Sequence, residues 1–133
     1  MCDKLKNQII QEYRVRKNLI SGPLKFSEIE KLNFEGVYVI CKDQKIVYIG
    51  SSYARTIYER LGQYLTRSKS GNTLAKHVFE SKETVKKFDD IELEDFSPII
   101  DEIKTFKIYA IKHEDLEYKL IKGIKPEYNI KGK

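Results

Sequence analysis

Apolar positions at the start of the chain recur at helical spacing. Leu5, Ile9, Ile10 and Tyr13 fall on one face and predict an N-terminal helix, which the run Ser21-Gly22-Pro23 should stop. The SEIEKL segment fits a second, short helix. From residue 36 the period changes: GVYVIC and IVYIG are dense in β-branched and aromatic side chains around a polar KDQK, which predicts a hairpin. Ile57, Leu61, Tyr64 and Leu65 restore helical spacing and predict a helix over roughly Ala54 to Arg67, capped by Ser51 or Ser52. A further helix, capped by Thr73, carries Leu74, Val78 and Phe79, and the acidic stretch after it reads as a loop with a short helical turn. FKIYAI, residues 106 to 111, predicts a third strand. A last helix over about Glu114 to Lys122 should end at Gly123, because glycine suits the left-handed cap and Pro126 does not continue a helix.

This order of elements predicts a small α/β (α+β) domain with a partly antiparallel sheet. No repeat, low-complexity tract or linker divides the sequence, so residues 1–133 read as one domain, with a helical extension over 1–33 and a charged insertion over 67–104. Register decides what the hairpin presents. Tyr38 and Tyr48 are ten residues apart, and this even separation lets them share a face, for instance directly opposite each other around the loop Lys42-Asp43-Gln44. Tyr38, Ile40, Ile46 and Tyr48 would then line one side, and Val37, Val39, Cys41, Val47 and Ile49 the other. A register slipped by one residue would separate the tyrosines. Both faces are apolar on the first reading, so helices should cover both.

Charge changes the picture next. The chain has 41% hydrophobic and 34% charged residues, as expected for a globular, soluble protein, and a net charge of +5. Its cations are unevenly distributed. Arg67, Lys69, Lys76, Lys82, Lys86 and Lys87 stand against only Glu80 and Glu83, and Lys119, Lys122, Lys125, Lys131 and Lys133 follow near the C-terminus. Between these groups DDIELEDFSPIIDE is acidic, which predicts a bipolar surface with one face suited to polyanions. No run is long enough to span a membrane, and MCDKLKNQII lacks the apolar core of a signal peptide; the expectation is a cytoplasmic protein. Cys2 and Cys41 have no metal-ligand spacing and read as structural or incidental.

Two charged residues sit in apolar stripes. Arg60 follows Ile57 and precedes Tyr64 at helical spacing, so it points toward the sheet. Glu117 has Leu120, Ile121 and Ile124 as its helical neighbours. An acid so placed calls for a partner. Pro126-Glu127-Tyr128-Asn129 follows, short enough for Asn129 to fold back. Taken in order, GVY and YIG in the hairpin, Arg60 within YERLGQYL, and the C-terminal EYKLIKGIKPEYN resemble the GIY-YIG nuclease family over about residues 34 to 130.

That resemblance implies a three-stranded antiparallel sheet flanked by helices, and divalent-metal-dependent hydrolysis of DNA phosphodiesters. It assigns catalytic positions to Tyr38, Tyr48, Arg60 and Glu117, with Glu117 as ligand to Mg²⁺ or Mn²⁺ and Asn129 in support. The residue types suit the reaction: Arg60 offers a permanently charged donor fork to phosphate oxygens, and a carboxylate suits a hard ion that retains waters. A tyrosine, either Tyr38 or Tyr48, would take the proton of the attacking water, which requires its pKa to be depressed by Arg60 or the metal. Family members often carry a lysine just after the second motif, where this chain has Ser51 and Ser52; Arg55 is the nearest stand-in, with a plain surface role as the alternative. Tyr64 belongs either to the pocket or to the core. His113, four residues before Glu117, would reach the pocket if helical, whereas His77 falls in the basic segment with no ligand partner at diagnostic spacing. Arg55, Arg67, Lys69 and Lys76 are the expected DNA contacts, holding phosphates without reading bases. The competing class is a nucleic-acid-binding module with weakened catalysis, a reading that the serine at position 51 keeps open.

Overall fold

A computed structural model describes residues 2–69, 72–82, 87–113, 116–126, 128 and 129. In chain order its main elements are α1 (Leu5–Tyr13), β1 (Ile20–Lys25), β2 (Gly36–Lys42), β3 (Lys45–Ser52), α2 (Ile57–Gln63), α3 (Thr73–Glu80), α4 (Phe96–Ile103), β4 (Lys107–Ile111) and α5 (Glu117–Ile124). The strands form one antiparallel sheet in the order β1-β4-β2-β3. Helices cover both of its faces, as the apolar hairpin requires.

On one face Tyr38, Ile40, Val47, Ile108 and Ala110 pack with Ile57, Leu61 and Tyr64 of α2, Leu74 and Val78 of α3, and Ile99, Ile100 and Ile103 of α4. On the other, Val37, Val39, Cys41, Ile49, Tyr109 and Ile111 pack with Leu5 and Ile9 of α1 and Leu120 of α5. The insertion thus contributes its own helices to the first core.

Several expectations are corrected. The sheet has four strands where the sequence predicted three: Ile20–Lys25, which holds the expected helix stop, forms an edge strand against β4. Proline is tolerated at such an edge, and the register shifts between Ser21 and Leu24, around the Gly22-Pro23 pair. The hairpin register also differs. Tyr38 pairs with Gly50 and Tyr48 with Ile40, and a bulge between Ile40 and Cys41 leaves a two-residue turn at Asp43 and Gln44. The extra residue resets the alternation, so Val47 joins the Tyr38 face and Ile46 the opposite one. Tyr38 and Tyr48 still share a face, set diagonally.

The caps shift in the same way. Ser51 and Ser52 complete β3, and α2 is capped by Thr56, whose hydroxyl accepts from Glu59 N–H while the Glu59 carboxylate accepts from Thr56 N–H. Asn72, not Thr73, caps α3. The acidic stretch ends in an eight-residue helix, α4, rather than a single turn. Gly123 lies inside α5, and the left-handed cap is Lys125 with φ 55°. A Cβ at 123 would meet the hydroxyl of Tyr13 on α1, the far end of a side chain that can swing aside. Glu114 and Asp115, expected to open this helix, lie outside the described residues.

Cys2 and Cys41 are joined as a disulfide with Cα atoms 6.4 Å apart. The Tyr109 hydroxyl donates to the Cys2 carbonyl at 2.7 Å, so the N-terminal arm is held to the central strands twice. The bond closes a sequence separation of 39 residues, which restricts the unfolded chain and should stabilise the fold by about 2–4 kcal/mol. Disulfides persist mainly in oxidising compartments, so in the cytoplasm expected from the sequence this bond would be exposed to reduction. Urea unfolding with and without reductant checks this. The reduced protein should unfold at a clearly lower midpoint, and equal midpoints would show that the bond adds nothing.

Candidate active site

The site begins with a close approach of backbone and ring. Tyr38 lies opposite Gly50, and a Cβ built on Gly50 would stand 2.5 Å from the Tyr38 hydroxyl and ring carbon Cζ. Only glycine leaves room for that ring to cross β3. Tyr38 is 1% exposed, and its hydroxyl lies 2.5 Å from that of Tyr64, at the C-terminal cap of α2. Tyr48 completes a triangle of rings, its centroid 6.3 Å from Tyr38 and 6.4 Å from Tyr64. Unlike the other two, Tyr48 is partly exposed.

The Thr56 cap fixes where α2 starts and therefore which way Arg60 points. Half-buried, Arg60 sets its guanidinium carbon 4.9 Å from the Tyr64 ring centroid and donates to Gln63 Oε1 at 2.8 Å. Tyr38, Tyr48, Tyr64 and Arg60 therefore stand together. Burial pushes the Tyr38 phenol well above its ordinary value, and the Tyr64 and Tyr48 phenols add to this; Arg60 opposes but does not overcome them. Tyr64 is pushed up to about 12, again chiefly by burial. Arg60 alone thus does not depress the Tyr38 phenol.

Glu117 is outside this cluster. It is the first residue of α5, on the opposite side of the sheet, where the Ser51 hydroxyl donates to its Oε1 at 2.8 Å. Strand alternation explains the separation: Tyr48 and Gly50 face the tyrosine core, while Ile49 and Ser51 face α5. The outer edge of β3 is what lies between them. There Asn129 accepts from Ile49 N–H at 2.8 Å through Oδ1 and donates from Nδ2 to the Ile49 carbonyl at 2.9 Å, pairing the strand as a neighbour would.

The structure sets the remaining candidates apart. His113 is exposed and precedes α5 instead of lying on it; its carbonyl accepts from the Tyr53 hydroxyl at 3.4 Å. Arg55, Arg67, Lys69 and Lys76 are exposed, and Lys69 donates to the Asp89 carbonyl. Lys86, Lys131, Lys133, Glu83 and Glu127 lie outside the described residues.

His77, which the sequence places only in the basic segment, is packed among the rings behind the site. It is 7% exposed, stacked on Tyr128 at 5.5 Å and 12°, with its other ring contact to Tyr48 at 6.1 Å. Burial lowers its pKa, with Glu80 opposing, so the ring is neutral at pH 7. Its position three residues after Leu74 and next to Val78 is the available signal. Ser51 escapes notice as the partner of Glu117 because a hydroxyl has no motif of its own.

Among the described residues no group of three or more His, Cys, Asp or Glu gathers as a ready-made metal site, and no helix is long and apolar enough to cross a membrane. A lone carboxylate, oriented by a serine hydroxyl, nevertheless fits an ion such as Mg²⁺, which is commonly held by one or two carboxylates and keeps its waters.

A chain with this hairpin and this arginine-bearing helix has the architecture of a small nuclease. The GIY-YIG catalytic domain matches residues 34–129, and the chain belongs to that nuclease family. No curated protein and no solved structure matches it.

The paired hydroxyls of Tyr38 and Tyr64 set a stability test. Tyr38→Phe or Tyr64→Phe alone removes the bond between the two hydroxyls and should cost about 0.5–1.5 kcal/mol, while the double variant should cost less than the sum. A urea double-mutant cycle reads the difference, and strict additivity would refute the coupling. The same burial predicts a pH effect. The unfolded phenols lose protons near pH 10 while the folded Tyr64 keeps its proton to about 12, so the contribution of this group to stability should be constant below 10 and be lost between 10 and 12, as alkaline unfolding followed by circular dichroism would show.

Proposed function

We propose that the protein is a divalent-metal-dependent endonuclease that hydrolyses DNA phosphodiester bonds. The observation that carries this reading is the placement of Tyr48, the one ring of the tyrosine triangle open to solvent, beside the half-buried Arg60. In this reading Arg60 receives the non-bridging phosphate oxygens through its charged fork, and the loss of its hydration is offset by the phosphate. Tyr48, as the phenolate that the charge of Arg60 and a bound divalent ion would favour, would take the proton of the attacking water. Tyr38 and Tyr64, buried and hydrogen-bonded to each other, fix the geometry of that wall.

Glu117 is the carboxylate that would hold Mg²⁺ or Mn²⁺, and such an ion supplies charge stabilisation to the leaving oxygen. Ser51 orients Glu117 by donating to one oxygen and leaves the second for the ion. This gives the serine a task different from that of the lysine common in the family. Asn129 holds the C-terminal segment over β3, which keeps the Glu117 side and the Tyr48 side in fixed relation. His77 and Tyr128 close off the Tyr48 ring from behind.

Purified protein incubated with supercoiled plasmid, single-stranded DNA and RNA, in Mg²⁺, Mn²⁺ or EDTA, provides the test. DNA should be cut in the metal lanes and spared in EDTA. Glu117→Gln keeps an acceptor for Ser51 but removes the charge, so it should abolish cutting while binding persists. Tyr48→Phe should slow cutting by about 10²–10⁴-fold, the usual contribution of a general base. If wild type and Glu117→Gln behave alike in every lane, the catalytic reading fails, and binding without cutting would make the chain a nucleic-acid-binding module.

A further inference from the structure

The face of α5 that turns away from the sheet carries an aromatic ring among cations. Leu120 is buried and Ile121 and Ile124 are partly buried against the core they share with α1, whereas Tyr118, Lys119 and Lys122 are exposed. Tyr118 is 73% exposed, the highest value of any large apolar side chain among the described residues. Tyrosine is a poorer helix former than lysine, alanine or glutamate, so the helix itself gains nothing from it there. Nothing covers the ring. Tyr118 has no ring contact, cation contact or hydrogen bond among the described residues, and neither Lys119 nor Lys122 is in an ion pair.

Single exposed apolar residues are ordinary on a protein surface, and here placement gives the ring its meaning. Helix geometry fixes that placement. Lys122, four residues after Tyr118, is turned about 40° from it around the axis, which puts their Cβ atoms about 5–6 Å apart on one face. Lys119 lies about 60° beyond Lys122. Glu117, whose carboxylate accepts from Ser51 at 2.8 Å, is the residue before Tyr118, with the two Cα atoms ~3.8 Å apart. The ring, two ammonium groups and the carboxylate proposed to hold the metal thus occupy less than two turns of one helix.

Chemistry selects the occupant. Two lysines attract phosphates and read no bases. An open aromatic face beside them adds what an intact duplex cannot use, because paired bases are already stacked on one another, whereas an unpaired base offers its own π face to the ring. We infer that Tyr118 is a stacking platform for an unpaired base next to the bond being cut, with Lys119 and Lys122 holding phosphates of the same strand. The favoured substrate is then single-stranded or locally unpaired DNA. This inference rests on the nuclease reading for its reaction.

The test measures binding in EDTA, using a fluorescent single strand of mixed sequence and the fully paired duplex made from it. Tyr118→Ala should weaken single-strand binding by about 5- to 150-fold, the equivalent of ~1–3 kcal/mol per stacked base, and leave duplex binding within about twofold. Tyr118→Phe keeps the ring and should keep the single-strand affinity. Tyr58→Ala removes a ring that is 43% exposed on α2 and should change neither. Lys119→Gln with Lys122→Gln should make the single-strand plot of log affinity against log salt shallower by about 1.4, at ~0.7 for each phosphate. The deciding quantity is the ratio of single-strand to duplex affinity. If Tyr118→Ala leaves that ratio at the value of wild type and Tyr58→Ala, the inference is overturned and the ring serves another occupant, such as a protein, while the nuclease reading stands. A ratio lost in Tyr118→Phe as well would assign the effect to the hydroxyl and overturn the stacking. Absence of any nucleic-acid binding by wild type at low salt would overturn both readings.

Discussion

The interaction on which the rest of the site depends is the passage of the Tyr38 ring over Gly50. Because no side chain stands at position 50, a residue on the central strand β2 reaches across the edge strand to meet Tyr64 at the end of α2. That meeting fixes α2 against the sheet and, with it, the direction of Arg60 one turn earlier. A methyl group at 50 would push the ring away and loosen every later contact. Tyrosine and glycine therefore act as one unit across the ladder, and the pairing of Tyr38 with Gly50 is what joins the two sequence motifs in space.

The edge of β3 is the second constraint. Its inner side is paired to β2, but at Ile49 both backbone groups point outward and would otherwise offer a template to another strand. Asn129 satisfies the donor and the acceptor with one amide. To do so the chain must pass from α5, on one face of the sheet, around the edge, and Tyr128 continues onto the tyrosine face to stack on His77. The two chemical halves, Glu117 with Ser51 and Tyr48 with Arg60, lie on opposite faces of one strand and are tied together at its rim.

Much of this is legible from residue types and spacing, and the rest is hidden for identifiable reasons. Even spacing places Tyr38 and Tyr48 on one face, which survives because the bulge and the shorter turn compensate each other; the expected faces of Ile46 and Val47 do not survive. Helical spacing correctly turns Arg60 toward the sheet. The strand at Ile20–Lys25 is hidden by Gly22 and Pro23, which stop helices but are also accepted at an edge strand. Gly123 looks like a cap because glycine suits the left-handed position, which Lys125 takes instead. Cys2 and Cys41, Ser51 and Glu117, and His77 are each defined by a partner that no local pattern reveals.

Charge shows most clearly why sequence blocks mislead. The cations around Arg67 to Lys87 look concentrated along the chain, yet the acidic segment that follows folds back beside them, and one carboxylate, Glu102, takes both Lys42 and Lys82. Glu102 is partly buried, and although burial alone would raise its pKa, its two lysine bonds hold it below the ordinary carboxylate value. These cations thus contribute less to the outward field than their density suggests. Lys4, Lys45 and Lys125 are scattered across the sequence, only the last of them within a run of lysines, but α1, the hairpin turn and α5 bring them to one hollow. A net charge of +5 is therefore a weak guide to where a polyanion rests; what matters is which lysines the fold draws around one surface.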